Sequence, residues 1–247
     1  MDKTIKELNH KFSQIKEMGW IKSIRKGSTG IGITFESLLS INENNFEIPD
    51  FKGIEIKTKR SYSNAYTTLF NATPDGPHFR EIERLKSNYG YPHSKYKKYK
   101  VLNNSVFSTQ KTRIGIRYYF QLNIDRKKEK VFLLIFDIHG NLIEDEIFWY
   151  FNTLKEKLYR KLNLMAVIDG KTKKIGAKEY FKYFNLTVYK IKSFDEFLTL
   201  LEKGIIRVTF KINVFLSGRR QGEIHDHGTG FDIKESDLLK LYDVYPQ

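Results

Sequence analysis

Residues 49 to 57 read Pro49-Asp50-Phe51-Lys52-Gly53-Ile54-Glu55-Ile56-Lys57. The stretch offers one acid, then a second acid and a base two positions apart on a segment that reads as a strand over 53–58. Side chains alternate along a strand, so Glu55 and Lys57 are expected to project together while Ile54 and Ile56 enter a core on the other face. Two carboxylates beside an ammonium suit hydrolysis of a phosphodiester. Asp50 and Glu55 can supply the oxygens that a hard divalent cation such as Mg²⁺ prefers, and Lys57 can orient or deprotonate a water or stabilise the charged transition state. On spacing alone the pattern is weak, because Glu and Lys alternate on the solvated face of many strands.

Working outward, residues 4–17 place Ile5, Leu8, Phe12 and Ile15 at helical spacing, with Gly19 as a stop signal. A basic, glycine-rich turn follows, Arg25-Lys26-Gly27-Ser28-Thr29-Gly30-Ile31-Gly32, and 34–39 reads as a helix whose Phe35, Leu38 and Leu39 face a core. Glu36 sits beside that stripe and can lean toward the mouth of a site. Downstream, strands are expected at 67–70, 115–124, 130–138, 143–150, 164–169 and 205–216, and helices at 77–89, 154–162, 194–201 and 236–241. Arg126-Lys127-Lys128 reads as a hairpin tip and Ser217 to Gly222 as a basic turn. No internal repeat or Pro/Ser-rich linker divides the 247 residues, which favours one interwoven α/β unit.

Composition bounds the function. Lys and Arg total 43 against 29 Asp and Glu, a net charge of +14, an imbalance that points to a polyanionic partner or an acidic surface, with nucleic acid the leading candidate. With no cysteine, neither disulfides nor a thiolate zinc site can form. The apolar run Val131–Phe136 is too short to span a bilayer, and Met1-Asp2-Lys3-Thr4 lacks the apolar stretch of a secretion signal, so a cytoplasmic protein is expected.

Three separated blocks, Arg25 to Glu36, Pro49 to Thr58 and His225-Asp226-His227-Gly228-Thr229-Gly230-Phe231, together resemble the MvaI/BcnI family of restriction endonucleases, which share a core with the mismatch-repair nickase MutH. The conjunction is specific where each block alone is not. The resemblance implies a PD-(D/E)xK fold, a mixed sheet flanked by helices, with residues 1–247 forming a single two-lobed nuclease domain. Its catalytic lobe would centre on about 20–70 and 115–168, and its DNA-reading lobe mainly on about 170–247. Carried over by motif, Asp50, Glu55 and Lys57 match the catalytic acid, acid and lysine, and Glu36 the additional helix-borne glutamate. The implied activity is type II, Mg²⁺-dependent cleavage of double-stranded DNA at a short site of the CC-N-GG type. The enzyme would be a monomer, with a companion methyltransferase protecting the host.

The same resemblance implies that His225, Asp226 and His227 read base edges in the major groove, and that Lys211, Arg219, Arg220 and Thr229 touch DNA. Two histidines alone are too few for a zinc site. The basic stretches Lys95–Lys100 and Lys111–Arg117 would contact phosphates, giving affinity that falls steeply with salt. This chain departs from the family on the preceding strand, where Thr209 and Lys211 stand at the positions of an Asp-x-Arg pair, and at Asp232, where an Arg is usual. A lysine does not replace a bidentate arginine at guanine, so the target can differ. Two other readings use the same residues: a MutH-like enzyme that nicks one strand, and a silent nucleic-acid-binding protein.

Overall fold

A computed structural model describes residues 2–40, 49–60 and 65–246, and in it the chain divides into two compact units that interleave along the sequence. The first unit comprises 1–65, 159–192 and 242–247, and the second 66–158 and 193–241. In chain order the first begins with α1 (Asp2–Glu17), β1 (Ile21–Lys22), α2 (Gly30–Leu38) and β2 (Glu55–Arg60). The second follows with β3 (Tyr66–Asn71), α3 (Glu81–Tyr89), β4 (Tyr91–Pro92), β5 (Lys100–Val106), β6 (Thr112–Ile114), β7 (Tyr118–Asp125), β8 (Lys130–Asp137) and β9 (Leu142–Tyr150). Helix α4 (Phe151–Leu162) begins in the second unit and ends in the first, which continues through β10 (Leu164–Ile175) and β11 (Lys178–Ile191). The chain returns to the second unit for α5 (Phe194–Glu202), β12 (Ile206–Val214), β13 (Ile224–Asp226), β14 (Gly230–Lys234), a 3₁₀ turn (Glu235–Asp237) and α6 (Leu238–Leu241), and β15 (Tyr242–Val244) rejoins the first.

The first unit is a mixed sheet in the order β1-β11-β10-β2, with β15 also on β11. Strand β2 runs parallel to β10, pairing Glu55 with Met165 and Lys57 with Val167, while β10 and β11 form a long antiparallel hairpin. Helix α1 packs on β11 and α2 on β2. Helical spacing delivers Ile5, Leu8, Phe12 and Ile15 of α1 into one core with Ile31 and Phe35 of α2 and with Ile54, Ile56, Ala166, Ile168, Phe181 and Val188. Those buried apolar groups supply the main drive for this unit, each large side chain contributing roughly 1.5–3 kcal/mol.

The second unit holds two sheets, β3-β14-β12-β5-β4 with β13 on β12, and β6-β7-β8-β9. Its core is aromatic: Phe231 lies 5.0 Å from Phe70, 5.8 Å from Trp149 and 6.0 Å from Phe197, ring centre to ring centre. The Trp149 indole donates to Ala72 O at 3.0 Å, satisfying the polar end of a fully buried ring. Strand β12 alternates without a break, burying Ile206, Val208, Phe210, Ile212 and Val214 and turning Arg207, Thr209, Lys211 and Asn213 to the other face.

Several boundaries differ from the sequence reading. The expected strand at 115–124 begins only at Tyr118, as β7, because Gly115 adopts φ +55° and residues 115–117 form the turn that leads out of β6. The helix expected from residue 77 starts at Glu81. Strand β10 runs to Ile175 rather than ending at 169, and its partner β11 had no counterpart in the sequence reading. Residues 115–158, read with the catalytic lobe, belong to the second unit because β7, β8 and β9 pair with one another. Residues 170–192 belong to the first because β11 pairs with β10.

Candidate active site

The site begins with a turn. Phe51 and Ile54 exchange backbone hydrogen bonds of 2.9 and 2.8 Å around Lys52-Gly53, whose φ angles of 47° and 92° are both positive, as in a two-residue I′ turn. Glycine takes that conformation without strain, and the reversal carries Asp50 back over β2. There Asp50 Oδ2 accepts a hydrogen bond from Ile56 N at 2.9 Å, which fixes the first acid against the strand that bears the second.

On β2, Ile54 and Ile56 enter the core as the alternation requires, but Glu55 is not solvated. It is only 1% exposed. That burial removes the reading of Glu55 and Lys57 as an ordinary surface pair, since an ionised carboxylate leaves water only when something compensates it. Lys57 Nζ donates to Glu55 Oε1 at 2.7 Å, and Lys161 Nζ from the end of α4 lies 3.4 Å from the same oxygen. The other oxygen, Glu55 Oε2, is buried and has no hydrogen-bond partner.

Burial pushes the Glu55 carboxyl above its ordinary range. The Lys57 charge opposes this, Asp50 adds to it by like-charge repulsion, and the Lys57 hydrogen bond and the Lys161 charge pull it down again. The buried Tyr242 hydroxyl, also without a hydrogen-bond partner, is pushed upward by burial first and by the Glu55 charge second. Tyr242 is therefore a neutral phenol in the field of Glu55.

An unpartnered buried carboxylate oxygen beside a second carboxylate fits an oxygen-seeking divalent cation, because an unmet acceptor at such a position is costly. Among the described residues no group of three or more His, Cys, Asp and Glu is gathered as a metal cage. Two carboxylates are enough for Mg²⁺, which keeps several waters. Glu36 lies half-buried on α2, the helix packed against β2. Its charge is felt at the buried Tyr183 hydroxyl, which donates to Ile31 O at 2.7 Å.

Sequence reasoning missed Lys161 and Tyr242. Lys161 is one of several cations on an amphipathic helix, and Tyr242 follows Lys240-Leu241 with nothing in the sequence to mark it. Only the folded chain brings either toward a residue more than 100 positions away.

The expected reading residues lie in the second unit. His225 stacks on Phe215 with centroids 4.1 Å apart and planes at 13°, His227 lies 4.0 Å from His225, and the Arg220 guanidinium covers the other partner, Phe215, at 4.1 Å. A continuous ladder, Arg220-Phe215-His225-His227, thus holds the two imidazoles, and Arg220 also pairs with Glu223 at 2.7 Å. Arg219 is exposed. The Asp226 carboxylate accepts from Gly228 N at 2.9 Å and so closes its own turn. Thr229 is fully buried, so its side chain is turned into the unit rather than toward solvent. Lys211 Nζ donates to Thr68 Oγ1 at 3.1 Å and lies 3.8 Å from Asp232, itself buried and accepting from Thr68 at 2.8 Å. Thr209 pairs with Ser105 at 3.1 Å. Arg207 approaches Asp232 at 3.8 Å and stacks on Tyr66.

Residues 9–242 match the model of the MvaI/BcnI restriction endonuclease family. A solved complex of restriction endonuclease MvaI with its cognate DNA substrate is similar over 99% of this chain and 98% of that one, at 32% identity and a TM-score of 0.90. The structure of MvaI in the absence of DNA covers the same shares at 31% identity and a TM-score of 0.65. Among curated proteins none matches the chain. Family model, fold and the clustered acids and lysines agree: the chain belongs to the MvaI/BcnI restriction endonuclease family and is a type II, site-specific DNA endonuclease.

Proposed function

We propose that this endonuclease hydrolyses double-stranded DNA with Mg²⁺, using Asp50, Glu55, Lys57 and Glu36 in the first unit, and reads a short CC-N-GG-like or related site through the second. The observation that carries the reading is Glu55, buried, with one oxygen held by two lysines and the other left without a partner beside Asp50. Asp50 and Glu55 would hold the cation, which supplies Lewis acidity and neutralises charge on the scissile phosphate. Lys57, held at 2.7 Å from Glu55, keeps further donors for the attacking water or a phosphate oxygen. Glu36 would orient water at the mouth of the site. We read the enzyme as a cytoplasmic monomer that cuts the two strands in successive events, its host protected by a companion methyltransferase.

The direct test is to incubate the protein with supercoiled plasmid in Mg²⁺ or EDTA and to sequence the ends. Discrete Mg²⁺-dependent fragments are expected. Nicked circles that never linearise would make it a strand-nicking enzyme, and retarded but intact DNA a binding protein.

Lys161 is assigned as a positioning residue for Glu55. Lys161→Met is expected to slow cleavage by about 10- to 100-fold, the usual cost of losing an outer partner of a metal ligand. It should also move the acid limb of the pH–rate profile upward, because removing a cation that lowers the Glu55 carboxyl lets burial raise it further. An acid limb that stays in place would show that Lys161 is not felt at Glu55.

For His225, stacked on Phe215, substitution by Ala is expected to cost about 1–3 kcal/mol of discrimination between the cut site and single-mismatch duplexes. Competition binding in EDTA measures it. Unchanged discrimination would leave the histidine a purely structural part of its ladder.

A further inference from the structure

The glycine-rich turn Arg25 to Gly30, which the chemistry at Glu55 leaves unused, walls a groove in the first unit. Its other walls are β1, the β10–β11 hairpin tip and the end of β2. Six cations line it, Lys22, Arg25, Lys26, Arg60, Lys174 and Lys178, against one acid, Glu179. That acid is already engaged, its Oε1 lying 3.2 Å from Arg60 Nη2. Lys22, Lys26, Lys174 and Lys178 are exposed, and none has an ion-pair partner among the described residues. Positive charge converging on a concave surface is costly unless a polyanion occupies it.

The groove is built rather than incidental. Arg60 donates to Gly27 O at 3.4 Å, Ser28 O at 3.3 Å and Thr172 Oγ1 at 3.3 Å, in addition to Glu179. One guanidinium therefore ties the turn, the hairpin and β2 together. The turn is wound closely on itself: Ser23 Oγ donates to Arg25 O at 2.5 Å, Gly27 takes φ +95°, and a Cβ on Gly30 would stand 2.5 Å from Arg25 O. No residue but glycine fits at position 30 without moving that backbone.

We infer that this groove is a phosphate-binding subsite for the DNA substrate, holding the sugar-phosphate backbone near the scissile bond; this rests on the function proposed above. Lysine ammonium groups on flexible stems suit phosphates and carry no base information. Arg60 ends the strand that starts with Glu55, so the groove lies about five strand steps, roughly 16 Å, from the buried acid. At about 3.4 Å of duplex axis per phosphate, it engages a phosphate within about five of the one cleaved. The register between contact and cut is set by β2 itself.

The test compares the wild type with the triple variant Lys26→Ala/Lys174→Ala/Lys178→Ala, binding a short mixed-sequence DNA duplex in EDTA across a salt series. Removing three phosphate contacts should flatten the slope of log K against log salt by about 2 to 3. The cut site mapped on plasmid should be unchanged. Neutral methylphosphonates placed singly around the mapped cut should weaken wild-type binding at one or two positions within about five phosphates, and the variant should be blind to them. Equal salt slopes, or equal methylphosphonate losses in both proteins, would overturn the subsite while leaving the endonuclease reading intact. If the wild type neither binds nor cuts duplex DNA, that reading fails and the subsite with it.

Discussion

Asp50→Ala should lower single-turnover cleavage by about a thousandfold or more while duplex binding in EDTA changes little. Removing one group that stabilises developing charge typically costs 10²–10³ in rate, and loss of a metal-holding carboxylate removes the cation's contribution as well. Lys57→Ala should act similarly, because Lys57 is the donor closest to Glu55. Asp50 also has a structural task, accepting from Ile56 N, so Ala alone cannot separate chemistry from geometry. Asp50→Asn can. The amide keeps a carbonyl oxygen for Ile56 N and loses the negative charge that repels Glu55, so it should fold as the parent does, with a melting temperature no lower than the parent's, and still fail to cleave. An Asn variant that cuts at the parental rate would reduce Asp50 to a turn residue and remove it from the site.

How far the sequence could be read depended on where each residue's partners lie. Alternation in Ile54-Glu55-Ile56-Lys57 was enough to place two isoleucines in a core, and the apolar spacing of α1 was enough for a helix. The burial of Glu55 was not legible, because Lys161 and Tyr242 come from distant parts of the chain. Strand β11 escaped because its core residues Phe181, Tyr183, Leu186 and Val188 are interleaved with charged and polar ones, and because its start and the end of β10 form a lysine-rich tip where Lys174 and Lys178 are exposed. Strand β14 escaped for the opposite reason. It buries Asp232 beside Phe231 and Ile233, and that carboxylate is tolerated only because Thr68, Arg207 and Lys211 converge on it. The motif blocks were visible as sequence, whereas the Arg60 contacts that hold the glycine-rich turn to β2 exist only in the fold.

Glu55→Gln should abolish cleavage and, in EDTA at neutral to alkaline pH, raise the melting temperature. Burial holds the Glu55 carboxyl above its ordinary range despite both lysines. The folded chain therefore keeps its proton at a pH where the unfolded chain has released it. Stability must then fall as pH rises through the window between the unfolded and the raised folded value, and the loss persists above it. Glutamine carries no proton to lose, so the variant should be the more stable protein above that window, with the difference shrinking as pH falls toward the ordinary glutamate range. The ammonium groups released by the change are not stranded: the Lys57 and Lys161 side chains are 31% and 29% exposed and can be solvated. Mg²⁺ should reverse the ranking, stabilising the wild type by an amount that grows with the logarithm of its concentration above the dissociation constant and leaving the variant almost unmoved. Melting curves of both proteins across pH, with EDTA and with Mg²⁺, measure all of this. If Glu55→Gln melts below the wild type at alkaline pH in EDTA, the two lysines more than offset the burial of Glu55, and the acid is a structural ion pair rather than a carboxylate awaiting a cation.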